Sequence, residues 1–173
     1  MSTYKGVLLC ALAASCLCAA DGPNAGRPLS AEEVRKLDIT ITPEGAGLPA
    51  GSGSAAAGAA VYAQKCQSCH GDRGSGKPQD RLTGGLGTLA TAKPVKTPNS
   101  FWSSATTLFD YIRRTMPITA PESLSNDETY ALTAYLLSVD NIVPKDATLD
   151  AQSLPKVKMP NRDGFIIWWP RLR

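Results

Sequence analysis

Cys66, Cys69 and His70 stand together in AQKCQSCHGD, residues 63–72, and His70 is the single histidine of the 173-residue chain. Two thiols at i and i+3, followed at once by an imidazole, admit several chemistries. A zinc site needs about four ligands, and outside a presumed leader the chain offers no further Cys or His. A thioredoxin-like redox pair wants a strand before it in a βαβ setting, whereas the residues before Cys66 are alanine-rich and read as helix. A plain disulfide leaves His70 without a purpose.

The remaining chemistry uses all three residues. Two thiols three residues apart reach both vinyl groups of one porphyrin as thioethers, and the imidazole after the second Cys points at the iron from the same side. C-x-x-C-H is the attachment signature for haem c, so Cys66 and Cys69 are the expected covalent anchors of one haem and His70 its axial ligand. With His70 committed, the opposite face of the iron needs another donor or stays open. Met1 leaves with the leader, so Met116 and Met159 remain. Met116 precedes Pro117, which pushes its predecessor out of helical geometry and turns the thioether onto a stiff loop. Met159 also precedes a proline but has no helix to aim it, and most methionines are core filler. Met116 is the expected second ligand. A thioether raises the potential and closes the last open position, which favours electron transfer. Without it, an open site would restore a haem sensor or peroxidase as the reading.

Placing these residues requires knowing which part of the chain folds. Lys5 precedes an uncharged run from Gly6 to Ala20, GVLLCALAASCLCAA, and the polar DGPN follows. This is the pattern of a secretory signal peptide, too short for a membrane span, with cleavage expected after Ala20 and a periplasmic product. Ala13-Ala14-Ser15 before Cys16 leaves a lipoprotein as the lesser alternative. Export suits haem attachment, which takes place outside the cytoplasm. It also removes Cys10, Cys16 and Cys18, so no disulfide framework is left. The net charge of +3 falls to +2 without Lys5, too weak for nucleic-acid binding. Acidic residues gather over 121–151 (Glu122, Asp127, Glu128, Asp140, Asp146, Asp150), and basic ones over 156–173. Such asymmetry either steers a charged partner or is ordinary solvated surface.

Three helices are expected to carry the site. SAAAGAAVYAQKC (54–66) runs into the cysteine motif, with Gly58 inside it at a cost of about 1 kcal/mol relative to Ala. That cost implies close approach by another element. SATTLFDYIRRT (104–115) is stopped by Pro117. NDETYALTAYLLSV (126–139) has Ser125 and Glu128 as a capping box, and Ala131, Ala134 and Tyr135 share one face, with Tyr135 suited to the notch at Gly58. A shorter helix is expected over 30–37, capped by Ser30 and Glu33. Residues 71–103 show no strand pattern, and a loop that long is functional or wraps something. The expected organisation is leader 1–20, N-terminal arm 21–53, haem domain 54–143 and C-terminal extension 144–173. The extension ends in GFIIWWPRLR, whose apolar cluster either docks on a partner or covers the chain's own surface.

This order of features resembles the class I cytochromes c: a helix with an internal glycine, C-x-x-C-H, a long loop, a helix ending in Met-Pro, and a last helix with aromatics. The resemblance implies an all-α fold with three main helices around one covalently bound haem, flanked by irregular arms. Gly58 then matches the family's helix-crossing glycine and Tyr135 its aromatic partner. TPEGAGLPAGSG, RLTGGLGTLATAKPVKT, ATTLFDYIRRTMP, YALTAYLLS and LPKVKMPNRDGF are similar to the cytochrome subunits and domains of periplasmic molybdenum sulfite dehydrogenases and sulfane dehydrogenase. That similarity implies an electron carrier, not itself an enzyme, between a molybdenum-cofactor dehydrogenase subunit and a downstream cytochrome or oxidase. It also implies that Arg81 and Trp102 neighbour the haem propionates, and that a loop proline carbonyl, offered here by Pro78, orients His70. The alternatives are a free-standing carrier to a terminal oxidase and the open-site sensor or peroxidase.

Overall fold

The computed structural model describes residues 26–166. The expected signal peptide, and the tail from residue 167 with Trp168 and Trp169, lie outside them. The chain parts into two units, one ending at Asp38 and one beginning at Ile39. The first contains helix α1 (Ala31–Leu37), capped as its sequence predicts: the Ser30 hydroxyl accepts from the Glu33 amide, and the Glu33 carboxylate accepts from the Ser30 amide.

The second unit is built around α6 (Asn126–Val139), preceded by β1 (Ser52–Ser54), α2 (Ala55–Lys65), α3 (Gln67–His70), α4 (Pro98–Phe101) and α5 (Ala105–Thr115), and followed by β2 (Thr148–Asp150). Nine of the fourteen residues of α6 are buried, among them Tyr130, Leu132, Ala134 and Leu137. A helix buried on most sides serves as the central post of a small domain. Its threonines are tolerated there because Thr129 and Thr133 donate their hydroxyls to the Ser125 and Thr129 carbonyls, 2.9 and 2.8 Å away. The Ser125–Glu128 capping box opens it. Asn141, at φ 56°, closes it in the left-handed conformation, with the Ile142 amide returning 3.0 Å to the Leu137 carbonyl.

α2 crosses α6 at Gly58. A Cβ there would collide with the Ala131 carbonyl oxygen and lie 2.8 Å from the Tyr135 Cβ, so the backbones meet in a way only glycine allows. Tyr62, one turn on, is buried and sits 5.2 Å, ring to ring, from Tyr135. α5 lays Leu108, Phe109 and Ile112 into the same core, with Phe109 4.4 Å from the Tyr130 ring.

This is the all-α arrangement of three main helices, with irregular arms, that the resemblance implies. Two features escape sequence reading. The three-residue strands β1 and β2 pair antiparallel, Gly53 opposite Leu149, and carry no alternating pattern long enough to detect. Residues 154–159 also enter the core through Leu154 and Met159, exposed 0% and 2%.

Candidate haem site

Cys66 sits where α2 ends and α3 begins, its amide still donating to the Tyr62 carbonyl at 2.9 Å. α3 is a single turn, so Cys66, Cys69 and His70 fall along one short helical segment, with the Cys69 and His70 amides both returning to the Cys66 carbonyl. Both thiols are free; Cys66 is half-buried and Cys69 exposed. Burial pushes the Cys66 thiol up to about 11, against the opposing pull of Lys65. Tyr62 ties this turn to α2 by donating its hydroxyl to the Gly71 carbonyl at 2.8 Å, and its own pKa is pushed up to about 12 by burial. Gly71 turns the chain away at φ 73°, a conformation that favours glycine.

The loop after Gly71 folds back onto the histidine. The Gly76 amide donates to the His70 carbonyl at 2.7 Å and the Gln79 amide to the Cys69 carbonyl at 2.8 Å. The His70 Nδ1 lies 2.8 Å from the Asp80 carbonyl oxygen. A carbonyl only accepts, so Nδ1 carries the proton and Nε2 keeps its lone pair for a metal. This fixes both ring orientation and tautomer, as metal-binding histidines require. The orienting carbonyl belongs to Asp80, two residues beyond Pro78. A backbone acceptor has no side-chain signature, so the sequence marks only its neighbourhood, through the glycines of HGDRGSG.

Met116 caps α5 with an extended backbone, φ −116° and ψ 143°, as its position before Pro117 predicts. Met159 is buried within the apolar core. Met116 instead is half-buried at the core's margin, as are Cys66, Leu82 and Trp102. The Trp102 ring lies 5.5 Å from Tyr111, itself 47% exposed, and Ile118 beyond Met116 is 75% exposed. Arg81 is exposed, and its Nε donates to the Ser75 carbonyl at 3.2 Å. Cys69, His70 and Arg81 thus share one hydrogen-bonded loop, while Trp102 and Met116 flank α5.

The donor set fits haem better than a bare ion. Among the described residues no group of three or more His, Cys, Asp or Glu is placed to hold a metal. A porphyrin brings four nitrogens of its own and asks only for two thiols, one oriented imidazole and apolar cover.

A family model for cytochrome c matches residues 55–140. A solved structure, the sulfane dehydrogenase SoxCD from Paracoccus pantotrophus, is 40% identical and superposes with a TM-score of 0.76; the match covers 84% of this chain and 72% of that one. Comparison with curated proteins finds no match. The matched span holds Cys66, Cys69, His70 and Met116.

Proposed function

The chain belongs to the cytochrome c family of electron-transfer proteins, and from that premise we propose that it is the single-haem electron-carrying partner of a periplasmic molybdenum sulfane- or sulfite-oxidising dehydrogenase. The observation that carries the haem-ligand reading is the His70–Asp80 hydrogen bond at 2.8 Å, which prepares Nε2 to bind iron; the family match carries electron transfer. The 40% identity to a sulfane dehydrogenase structure supports the choice of partner.

When bound, haem c supplies a one-electron Fe(III)/Fe(II) couple. Cys66 and Cys69 would hold it by thioether bonds, and His70 and Met116 would be its protein ligands. The Asp80 carbonyl pulls on the Nδ1 proton and makes the imidazole a stronger donor. The Met116 thioether would favour the reduced state and leave no open position for O₂ or peroxide. Leu82 and Trp102 would give the group apolar cover, and Arg81 and Trp102 would be neighbours for its propionates. No protein group here needs to exchange a proton for the couple to turn over.

The molybdenum chemistry belongs to a separate polypeptide, and a downstream cytochrome or oxidase takes the electrons. Among the described residues no helix is long and apolar enough to cross a membrane, and the leader over residues 1–20 directs export. Isolation from the native host tests the assignment. A complex containing iron and molybdenum, in which sulfane or sulfite reduces this haem, is the expected result. A cytochrome that purifies without molybdenum and is not reduced by either substrate contradicts it.

A further inference from the structure

The strap that presents the Asp80 carbonyl to His70 is anchored at its far end by three side chains, Thr97, Asn99 and Asp140, that lie outside the haem-binding motif. After Asp80, the Leu82 and Thr83 amides donate to the Gly74 carbonyl at 2.8 and 3.3 Å. The Thr83 hydroxyl donates to the Arg73 carbonyl at 2.8 Å. Gly84, the next residue, is held on both sides. Its amide donates to the Asp140 Oδ2 at 2.7 Å, and its carbonyl accepts from the Thr97 hydroxyl at 2.8 Å. Asn99 locks the carboxylate in place: its Nδ2 donates to the same Asp140 oxygen at 2.7 Å and to the Leu136 carbonyl at 2.8 Å.

Helix stability alone does not account for these residues. Asp140 is the C-cap of α6, where the helix dipole disfavours a carboxylate. Asn99 is fully buried, and its Oδ1 has no hydrogen-bond partner in the protein. A buried amide that directs its donors while its acceptor goes unused is set by what it holds. What it holds is the carboxylate that fixes Gly84.

We propose that Asp140 and Asn99 are positioning residues for the axial histidine, acting through the 80–84 strap to keep the Asp80 carbonyl on the His70 Nδ1 proton. This rests on the reading of His70 as an iron ligand. Loosening the Gly84 anchor lets the Asp80 carbonyl retreat, so the imidazole donates less charge to iron and the reduced state gains.

The experiment uses holoprotein in its reduced, diamagnetic form and follows the His70 Nδ1 proton by NMR, together with the midpoint potential. Asp140→Ala is expected to accelerate exchange of that proton about tenfold, the effect of losing a hydrogen bond to a charged acceptor, and to raise the potential. Asp140→Asn keeps an oxygen able to accept from both Gly84 and Asn99 and is expected to restore wild-type behaviour. Asn99→Leu, which leaves the Gly84 bond in place, should fall between them and serves if Asp140→Ala does not hold haem. Leu149→Ala in the β1–β2 pair is the control for general destabilisation. Exchange and potential in Asp140→Ala or Asn99→Leu no different from that control would overturn the proposal. The ring-current-shifted signals of a ligated imidazole in wild type report the ligand assignment separately; their absence would overturn both readings.

Discussion

His70 and the two methionines show how environment assigns roles that residue type leaves open. His70 spends one nitrogen on the Asp80 carbonyl, at 2.8 Å, and has one left for iron. Met116 and Met159 both precede proline, yet Met159 is 2% exposed within the apolar core and Met116 is half-buried at its margin, as are Trp102 and Leu82. Met159→Ala should therefore cost about 2–5 kcal/mol in a denaturant titration of the holoprotein while leaving the potential unchanged. A shifted potential at unchanged stability would reverse the two roles. The sequence narrows the candidate site residues because C-x-x-C-H with a lone histidine restricts the chemistry. The groups that hydrogen-bond around them were not legible. Asp80 acts through its backbone, and the Asn99–Asp140 pair lies 41 residues apart in the chain.

At the scale of elements, the helices were legible almost to the residue, since Ser30, Ser54 and Ser125 each mark a start by accepting from the third helical amide. α4, a single turn, was hidden inside a loop rich in glycine and proline. The α2–α6 crossing gives a prediction of opposite sign to propensity. On an open helix, Gly58→Ala would stabilise by about 1 kcal/mol. Here the added methyl meets the Ala131 carbonyl, so overpacking should destabilise the holoprotein by about 1–3 kcal/mol; an upward shift in melting temperature would contradict the crossing. The N-terminus of α6 gives a pH test. Glu128 has its pKa lowered, first by the Lys65 ammonium at 2.6 Å and then by the Ser125 amide. A carboxylate whose folded pKa is depressed adds stability above its unfolded value, and that stability is lost as pH falls through the folded one. Glu128→Gln should thus cost less than about 1 kcal/mol at neutral pH, given the pair's partial exposure. The difference from wild type should shrink toward zero as both carboxyl forms protonate. A difference that persists in acid would mean that packing, not charge, makes the contribution.

For the whole molecule, a bound haem c would add apolar cover at the margin of the core. Cys66, Leu82, Trp102 and Met116 lie half-buried against the apolar cluster; Tyr111, 5.5 Å from the Trp102 ring, and Ile118 expose large apolar surfaces. The long loop over 71–103 carries no strand and two short helical turns, Asp72–Gly74 and Pro98–Phe101, so we expect its order to depend on a bound haem. The Cys66→Ala, Cys69→Ala double variant, made without haem, should lose the near-ultraviolet circular dichroism of its packed aromatics while keeping helical signal. A fully ordered haem-free protein would show that the 71–103 loop needs no cofactor. The central claim is that both axial positions of a single haem are filled by His70 and Met116, which makes the chain an electron carrier. The near-infrared thioether-to-iron band of the oxidised protein tests it most directly. The band should be present in wild type and in Met159→Leu. In Met116→Ala it should disappear, with a lowered potential and CO binding to the reduced protein. A band that survives Met116→Ala, or is missing from wild type, contradicts the account.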